Sequence, residues 1–310
     1  MLKGLALTPP VIGRISIGKV VERNGKRLPE KDDEFTITSQ VQGREGWVNH
    51  PLDEQLRKDR GAKLRSIPVR LLFDDPTLSF RASYTMFDRS TGRPLCVGNG
   101  ETCRRATLSG MQSFQCPAPL SCPLAEGGNC KPYGRLNVCI ELDGAVGDEL
   151  GSFVLRTTGF NSIRTLSARL RYLHALSGGL LSALPLELRL RGKSTTLSHR
   201  SPIYYVDLTL RGDTTLTEAI GTAITTWKAR KEAGVDQAAL DETARIGFAL
   251  GDFEDSDEDG AAVVEEFYPS DGDPRDAGGS GYVSGGKLAL AEKLKMKAGK
   301  NLLPATDNAN

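Results

Sequence analysis

Three cysteines fall within the fifteen residues from Cys116 to Cys130, and proline directly follows the first two of them, in the stretch QCPAPLSCPLAEGGNC. A zinc ion asks for four soft donors in a tetrahedron, and short loops bring thiolates together with little backbone cost. Cys116, Cys122 and Cys130 supply three donors, with prolines stiffening the chain beside the first two. The fourth is expected to be Cys96, at a strand end just before a glycine turn; Cys103, ahead of two arginines, is the alternative. Cys139, inside the strand-like LNVCIEL, reads as a small buried apolar residue. The spacing is not a pair of Cys-x-x-Cys knuckles, so unligated or redox-linked thiols are the competing reading. No stretch is long and apolar enough for a membrane span or a signal peptide, which points to the cytoplasm, where thiols stay reduced.

Around this segment the hydrophobic pattern is that of an α+β domain. ISIGKVV and EFTITS are short β-like runs, and KLRSIPVRLLF and LSFRASYTMF read as two strands around the turn DDPT. RLNVCIEL and SFVLRTT follow the cysteines as strands. Residues 161–176 form the clearest helix: Ile163, Leu166, Leu170 and Leu173 share one face, Arg164 and Arg171 the other, with Asn161 as expected N-cap. LELRLRG and IYYVDLTLRG are two further strands, then TLTEAIGTAITTWKARKEAG and DQAALDETARIGFAL two further helices. The expected fold is a mixed or antiparallel sheet with helices on one side and a small Cys-rich zinc-binding insertion at about residues 95–132. The core domain is expected to span residues 1–250.

The formal net charge of +1 conceals a separation. Residues 241–276 carry thirteen Asp and Glu against Arg245 and Arg275, a net of −11. From residue 251 onward the acidic and Gly/Ser-rich composition predicts a flexible tail, with a short basic segment at 287–300. Tethered to a basic body, the acidic run is expected to compete for that body's charged surface. Residues 152–200, by contrast, carry a net of +7. On the helix Arg164 and Arg171, and on strand LELRLRG the alternating Arg189 and Arg191, are the candidate contacts to DNA or an acidic partner. An ordinary solvated face is the plain alternative.

Catalytic signatures are missing from this sequence. The three histidines, His50, His174 and His199, stand in no His-Glu-x-x-His pattern. CVGNGETC lacks the third glycine and the following helix of a dinucleotide site. Asp74, Asp75 and Glu101 are turn carboxylates that a hydrolytic metal could use, but solvation is their ordinary fate. Asp255 to Glu266 matches the spacing of a calcium loop, yet Pro269 interrupts the exit helix such a loop requires, and an acidic linker is preferred.

KLRSIPVRLLFDD, CVGNGE, CPAPLSCPLAEGGNCKPYGRLNV and GSFVLRTTGFNSIRTLSARL together resemble the recombination directionality factor-like family of phages and mobile elements, over roughly residues 60–210. The resemblance implies the zinc site and a non-enzymatic accessory role. Such a factor binds a large serine integrase, or another recombinase, on DNA and turns it from integration to excision, with direct DNA contact a further expectation. The competing functions are a stand-alone nucleic-acid-binding zinc protein of DNA recombination or repair, and a metal-dependent hydrolase. The acidic end has no counterpart in the family pattern.

Overall fold

The computed structural model describes residues 10–23, 26–43, 46–57, 61–142, 151–194, 196, 200, 202–251, 260, 263–264 and 267–268. The chain opens with strands β1 (Val11–Arg23), β2 (Lys26–Gly43) and β3 (Gly46–Asn49), each antiparallel to the next. Helix α1 (Pro51–Leu56) follows, then β4 (Ser66–Leu71), the helical turn α2 (Pro76–Ser79) and β5 (Phe80–Phe87). An antiparallel meander of β6 (Pro94–Gly98), β7 (Thr102–Thr107) and β8 (Gly110–Gln115) leads through α3 (Ala118–Ser121) to β9 (Cys130–Ile140). After β10 (Ser152–Thr157) come α4 (Phe160–Leu176), β11 (Leu186–Lys193), β12 (Ile203–Leu210), α5 (Leu216–Glu232) and α6 (Gln237–Gly251).

All twelve strands of the described residues belong to one mixed sheet, whose main path runs β3-β2-β1-β10-β9-β5-β6-β7-β8. β4, β11 and β12 branch from β9. Among the described strands only β1 and β10 run parallel. The fork arises because β9 is long: Cys130 to Leu136 pair with β5, and Val138 to Ile140 pair with β4. β4 and β5 therefore lie end to end along β9, on either side of Asp74 to Thr77, and do not pair with each other. Asp75 is the reason, since its carboxylate accepts the Thr77 amide at 2.8 Å and caps α2 in place of a tight turn.

Alternation along the strands builds the core. Ile67, Val69 and Leu71 of β4, Leu136 and Val138 of β9, Leu186 and Leu188 of β11, and Val206 and Leu208 of β12 are all buried in one cluster. Leu166, Leu170 and Leu173 of α4 join the same cluster. Gly134 lets this helix settle on the sheet: a Cβ there would stand 2.5 Å from the Phe80 ring and 3.2 Å from Ile163. α4 begins one residue earlier than its sequence suggests, with Gly159 as N-cap and no side-chain cap. Asn161 instead accepts a hydrogen bond from Lys193 at 2.7 Å, so its oxygen is committed to β11.

Packing continues past the expected boundary at residue 250. α6 buries Ala244 and Phe248 against Phe73 and Leu78. Beyond it, Val263 and Phe267 are fully buried with Phe87 and Tyr133. The Tyr268 hydroxyl donates to the carbonyls of Phe87 and Asn129 at 3.1 and 2.9 Å, while Lys131 donates to the Phe267 carbonyl at 3.0 Å. Val263 and Phe267 are one helical turn apart, which lets two apolar side chains emerge on one face of an otherwise acidic stretch. Residues 255–259, the carboxylate-rich part of the calcium-loop match, and the basic segment 287–300 lie outside the described residues.

Candidate metal centre and basic face

The meander and β9 bring the cysteines to one end of the sheet. Cys96 on β6 and Cys130 on β9 both stand opposite Met86 of β5, so the two thiols share a row and a face. Cys103 on β7 is opposite Gly98, two residues along from Cys96, and so shares that face too. Cys116 comes over Gly98 from the end of β8: a Cβ on Gly98 would lie 2.7 Å from the Cys103 Cβ and 2.8 Å from the Cys116 Sγ. Cys122 joins α3 to the following 3₁₀ turn. The glycine turn before β7 is fixed by Asn99, whose side-chain oxygen accepts the Glu101 and Thr102 amides, each at 2.8 Å.

All six cysteines are free thiols. Burial pushes the Cys130 thiol up to about 12, helped by the charge that Cys96, Cys116, Cys122 and Cys103 would each carry on ionising. Burial likewise raises Cys103, to about 11, through desolvation first and its neighbours Cys96 and Cys116 after it. Five thiols thus occupy one electrostatic neighbourhood. Among the described residues no three His, Cys, Asp or Glu side chains close into a ready-made metal group. Thiolates are the soft donors that a divalent cation such as zinc takes, and a bound cation would oppose the effect that raises Cys103 and Cys130. Cys103 donates to the Gln115 carbonyl at 3.7 Å and is 4% exposed, whereas Cys96 is half-buried and faces Arg105 across the ladder. Cys139 is buried with its thiol directed to the Gly151 carbonyl at 3.4 Å, apart from this group.

The four arginines singled out by charge divide into two pairs. Arg164 and Arg171 project from the exposed face of α4. Arg189 donates to Glu187 at 2.8 Å, and Arg191 to Asp207 at 3.3 Å. Glu187 and Asp207 are 5% and 4% exposed. Both carboxylates are central nodes: Glu187 also accepts from Ser66 at 2.8 Å, and Asp207 from Arg169 at 2.9 Å. The strand arginines are thus tied to keeping buried carboxylates paired, a contribution to the fold.

Arg171 lies in different company. With Ser167 one turn before it, it lines a cleft of about 320 Å³ between α4 and strands β5 and β9. Arg81 and Arg135 line the same cleft and face each other directly across β5 and β9. Charge counting by segment cannot find this grouping, because Arg81 and Arg135 are 54 positions apart and meet only through strand register.

Two of the three carboxylates considered for hydrolysis have structural partners. Asp74 accepts the Ser182 amide at 2.8 Å, and Asp75 pairs with Arg245 at 3.0 Å. Glu101 is exposed. The His50 Nδ1 accepts the Leu52 amide at 3.2 Å as the N-cap of α1, and His174 sits in the last turn of α4.

The described residues thus form one large mixed sheet with a thiol-rich meander at one end. The family model described as Gp3-like: Recombination directionality factor-like matches residues 12–211, from within β1 to the end of β12, and the chain belongs to this family. Comparison with curated proteins and with solved structures gave no match. The family is a class of recombination accessory factors, and membership links the chain to a recombinase at that coarse level. No helix among the described residues is long and apolar enough to cross a membrane.

Proposed function

We propose that this protein is a cytoplasmic, non-enzymatic accessory factor of a mobile element that binds a serine integrase on DNA and sets the direction of recombination. The observation that carries the reading is the family match, which spans every strand of the sheet together with the cysteine meander. The physical demand on such a factor is modest. It must bind one arrangement of the recombinase more tightly than another, and about 10⁴-fold discrimination is enough to move a population from one extreme to the other. A rigid twelve-stranded sheet suits this task, because a stiff surface discriminates between two partner geometries that a compliant one would accept alike.

Zinc is proposed as a structural cofactor held by Cys116, Cys122, Cys130 and Cys96, with Cys103 the alternative fourth donor. Its contribution would be to fix the meander and the α3 turn to β9. Four thiolates leave no position for a substrate water. That supports a structural ion over a hydrolytic one.

The stand-alone DNA-binding reading has less support, since Arg189 and Arg191 are engaged by buried carboxylates. Sedimentation of the full chain with the integrase of its own element, with and without the integrase's DNA site, tests the reading. Formation of a stoichiometric complex with the integrase is expected. Binding to DNA alone, with no added affinity for integrase, would replace it with the stand-alone alternative.

A further inference from the structure

We infer that the groove formed by Phe87, Arg89, Asn129, Lys131 and Tyr133 is an exchangeable docking site for an acidic, aromatic helical segment of a protein partner, and that residues 263–268 of the chain occupy it in cis until that partner displaces them. The inference rests on the accessory-factor reading for the partner, a recombinase, and adds the contact and its regulation. The groove lies wholly within the residues that the family model matches, at the end of β5, in the turn after it and at the start of β9. Its occupant comes from outside them, beyond α6. A surface built by the matched fold is therefore filled by a segment that lies outside the match.

The occupant is held as a peptide ligand is held. The Phe267 ring meets Phe87 and Tyr133 edge-on, with centroids 4.8 and 6.0 Å away, and Val263 is buried one turn before it. At the rim the Arg89 guanidinium stands over the Tyr268 ring at 4.3 Å, and the Lys131 ammonium is 5.5 Å from the same ring. A bond of 2.8 Å from the Tyr268 amide to the Val264 carbonyl makes the backbone helical here. Among the described residues no backbone-to-backbone hydrogen bond joins the segment to the sheet. Its polar links run through side chains instead: Lys131 to the Phe267 carbonyl, and Tyr268 to the carbonyls of Phe87 and Asn129. A helix laid in a groove by apolar anchors one turn apart can leave without breaking a strand ladder. The same contacts specify what could replace it. Two rings and a cationic rim select an aromatic anchor with negative charge beside it, and the occupant carries that pattern as Glu265-Glu266-Phe267-Tyr268. The phosphates of a duplex would meet the rim and leave the rings unfilled. Tethered to α6 through residues 252–259, the cis segment acts at a high effective concentration, so an outside ligand meets a site already taken.

The probe is a fluorescein-labelled peptide with the sequence of residues 260–270, GAAVVEEFYPS, read by fluorescence anisotropy against the full chain and its Phe267→Ala variant, with circular dichroism to verify the fold. The variant should bind the peptide about tenfold or more tightly than the parent, because its own segment has lost the central buried ring. Arg89→Glu, at an exposed position of the rim, should weaken that binding again when added to the variant. The peptide with Ala in place of its Phe should bind neither chain. Hydrogen exchange on the unmodified chain is the second measurement, and the amides of residues 263–268 should exchange faster than those of β5 and β9. Equal peptide affinity for parent and variant, or exchange of the segment as slow as that of β5 and β9, would overturn the proposal, since the segment would then be a fixed part of the core. A labelled 20-base-pair duplex that binds the variant and is displaced by the peptide would overturn the peptide chemistry. A parent dimer in sedimentation that Phe267→Ala abolishes would make the occupant a second copy's segment and overturn the cis arrangement. Integrase should bind the variant at lower concentration than the parent. Equal integrase binding, with peptide exchange as expected, would overturn the partner named here and leave the accessory role intact, whereas integrase bound by neither chain would remove that role and leave the groove a peptide site.

Discussion

Gly98→Ala is the sharpest probe of the thiol centre, because the added methyl is only one carbon and its position is known. It would stand 2.7 Å from the Cys103 Cβ and 2.8 Å from the Cys116 Sγ. Non-bonded carbons prefer about 3.5 to 4.0 Å, so each contact is short by roughly 0.7 Å or more. Gly98 is hydrogen-bonded into a ladder between β5 and β7, which leaves the backbone little room to retreat. Cys116, beyond the end of β8, is the group free to move, and its thiol leaves the cluster. Overpacking of this kind costs about 1–3 kcal/mol, and displacement of one donor adds a loss of metal affinity. Melting with and without a chelator separates the two effects: the steric cost persists in both, and the zinc-dependent increment shrinks only in the variant. A competition titration against a chromophoric chelator should show zinc affinity reduced at least tenfold, the low end for loss of a supporting group. If the variant melts with the parent and binds zinc equally, Cys116 is not packed over Gly98 as described.

Further outcomes follow from the same structure. Purified protein should carry one zinc per chain by elemental analysis, lost on Cys116→Ser, Cys122→Ser or Cys130→Ser; loss on Cys103→Ser but not Cys96→Ser would exchange the fourth ligand. Phe267→Ala should lower the unfolding free energy by about 3 kcal/mol in urea titration, the low end for a buried Phe, because the segment can also undock locally. An unchanged midpoint would show that the Phe267 side chain contributes nothing to the fold. Burial lowers the His50 pKa below its ordinary 6.5, so the unfolded chain takes up the proton first. Stability should therefore be full above about pH 6.5 and decline as the pH falls below it, as protonation also removes the Nδ1 acceptor that caps α1. His50→Asn, which can cap without titrating, should flatten this part of the profile in thermal melts; identical profiles would exclude His50 as the cause.

Much of the architecture was legible because period-2 and period-3.6 patterns are local. β10, β11, β12 and α4 through α6 fall where alternation or helical spacing placed them, to within a residue or two, whereas β9 begins at Cys130, five residues before the strand read at Arg135 and inside the expected Cys-rich insertion. Partner choice between strands was not legible: the parallel pairing of β1 with β10 joins segments more than a hundred residues apart and leaves no local trace. The meander β6-β7-β8 was hidden as well. All six residues of β8 are exposed, so no burial face imposes an alternating pattern on Gly110 to Gln115. Composition misled at the C-terminal end, where acidic residues outnumber the Val263 and Phe267 that anchor the segment. For the candidate site, the density of cysteines was visible in sequence, but the grouping of Arg171 with Arg81 and Arg135 exists only once β5 and β9 are in register.

The proposed role is to bias a recombinase between two outcomes without doing chemistry. A reconstituted recombination assay tests it most directly, using the serine integrase of the same mobile element on integrative and on excisive DNA substrates, with and without this protein. Adding the protein should promote excision and suppress integration in a saturable way, with no DNA cleavage by the protein alone. Product yields unchanged in both directions, at concentrations where the protein is shown to be bound to the integrase, would contradict it.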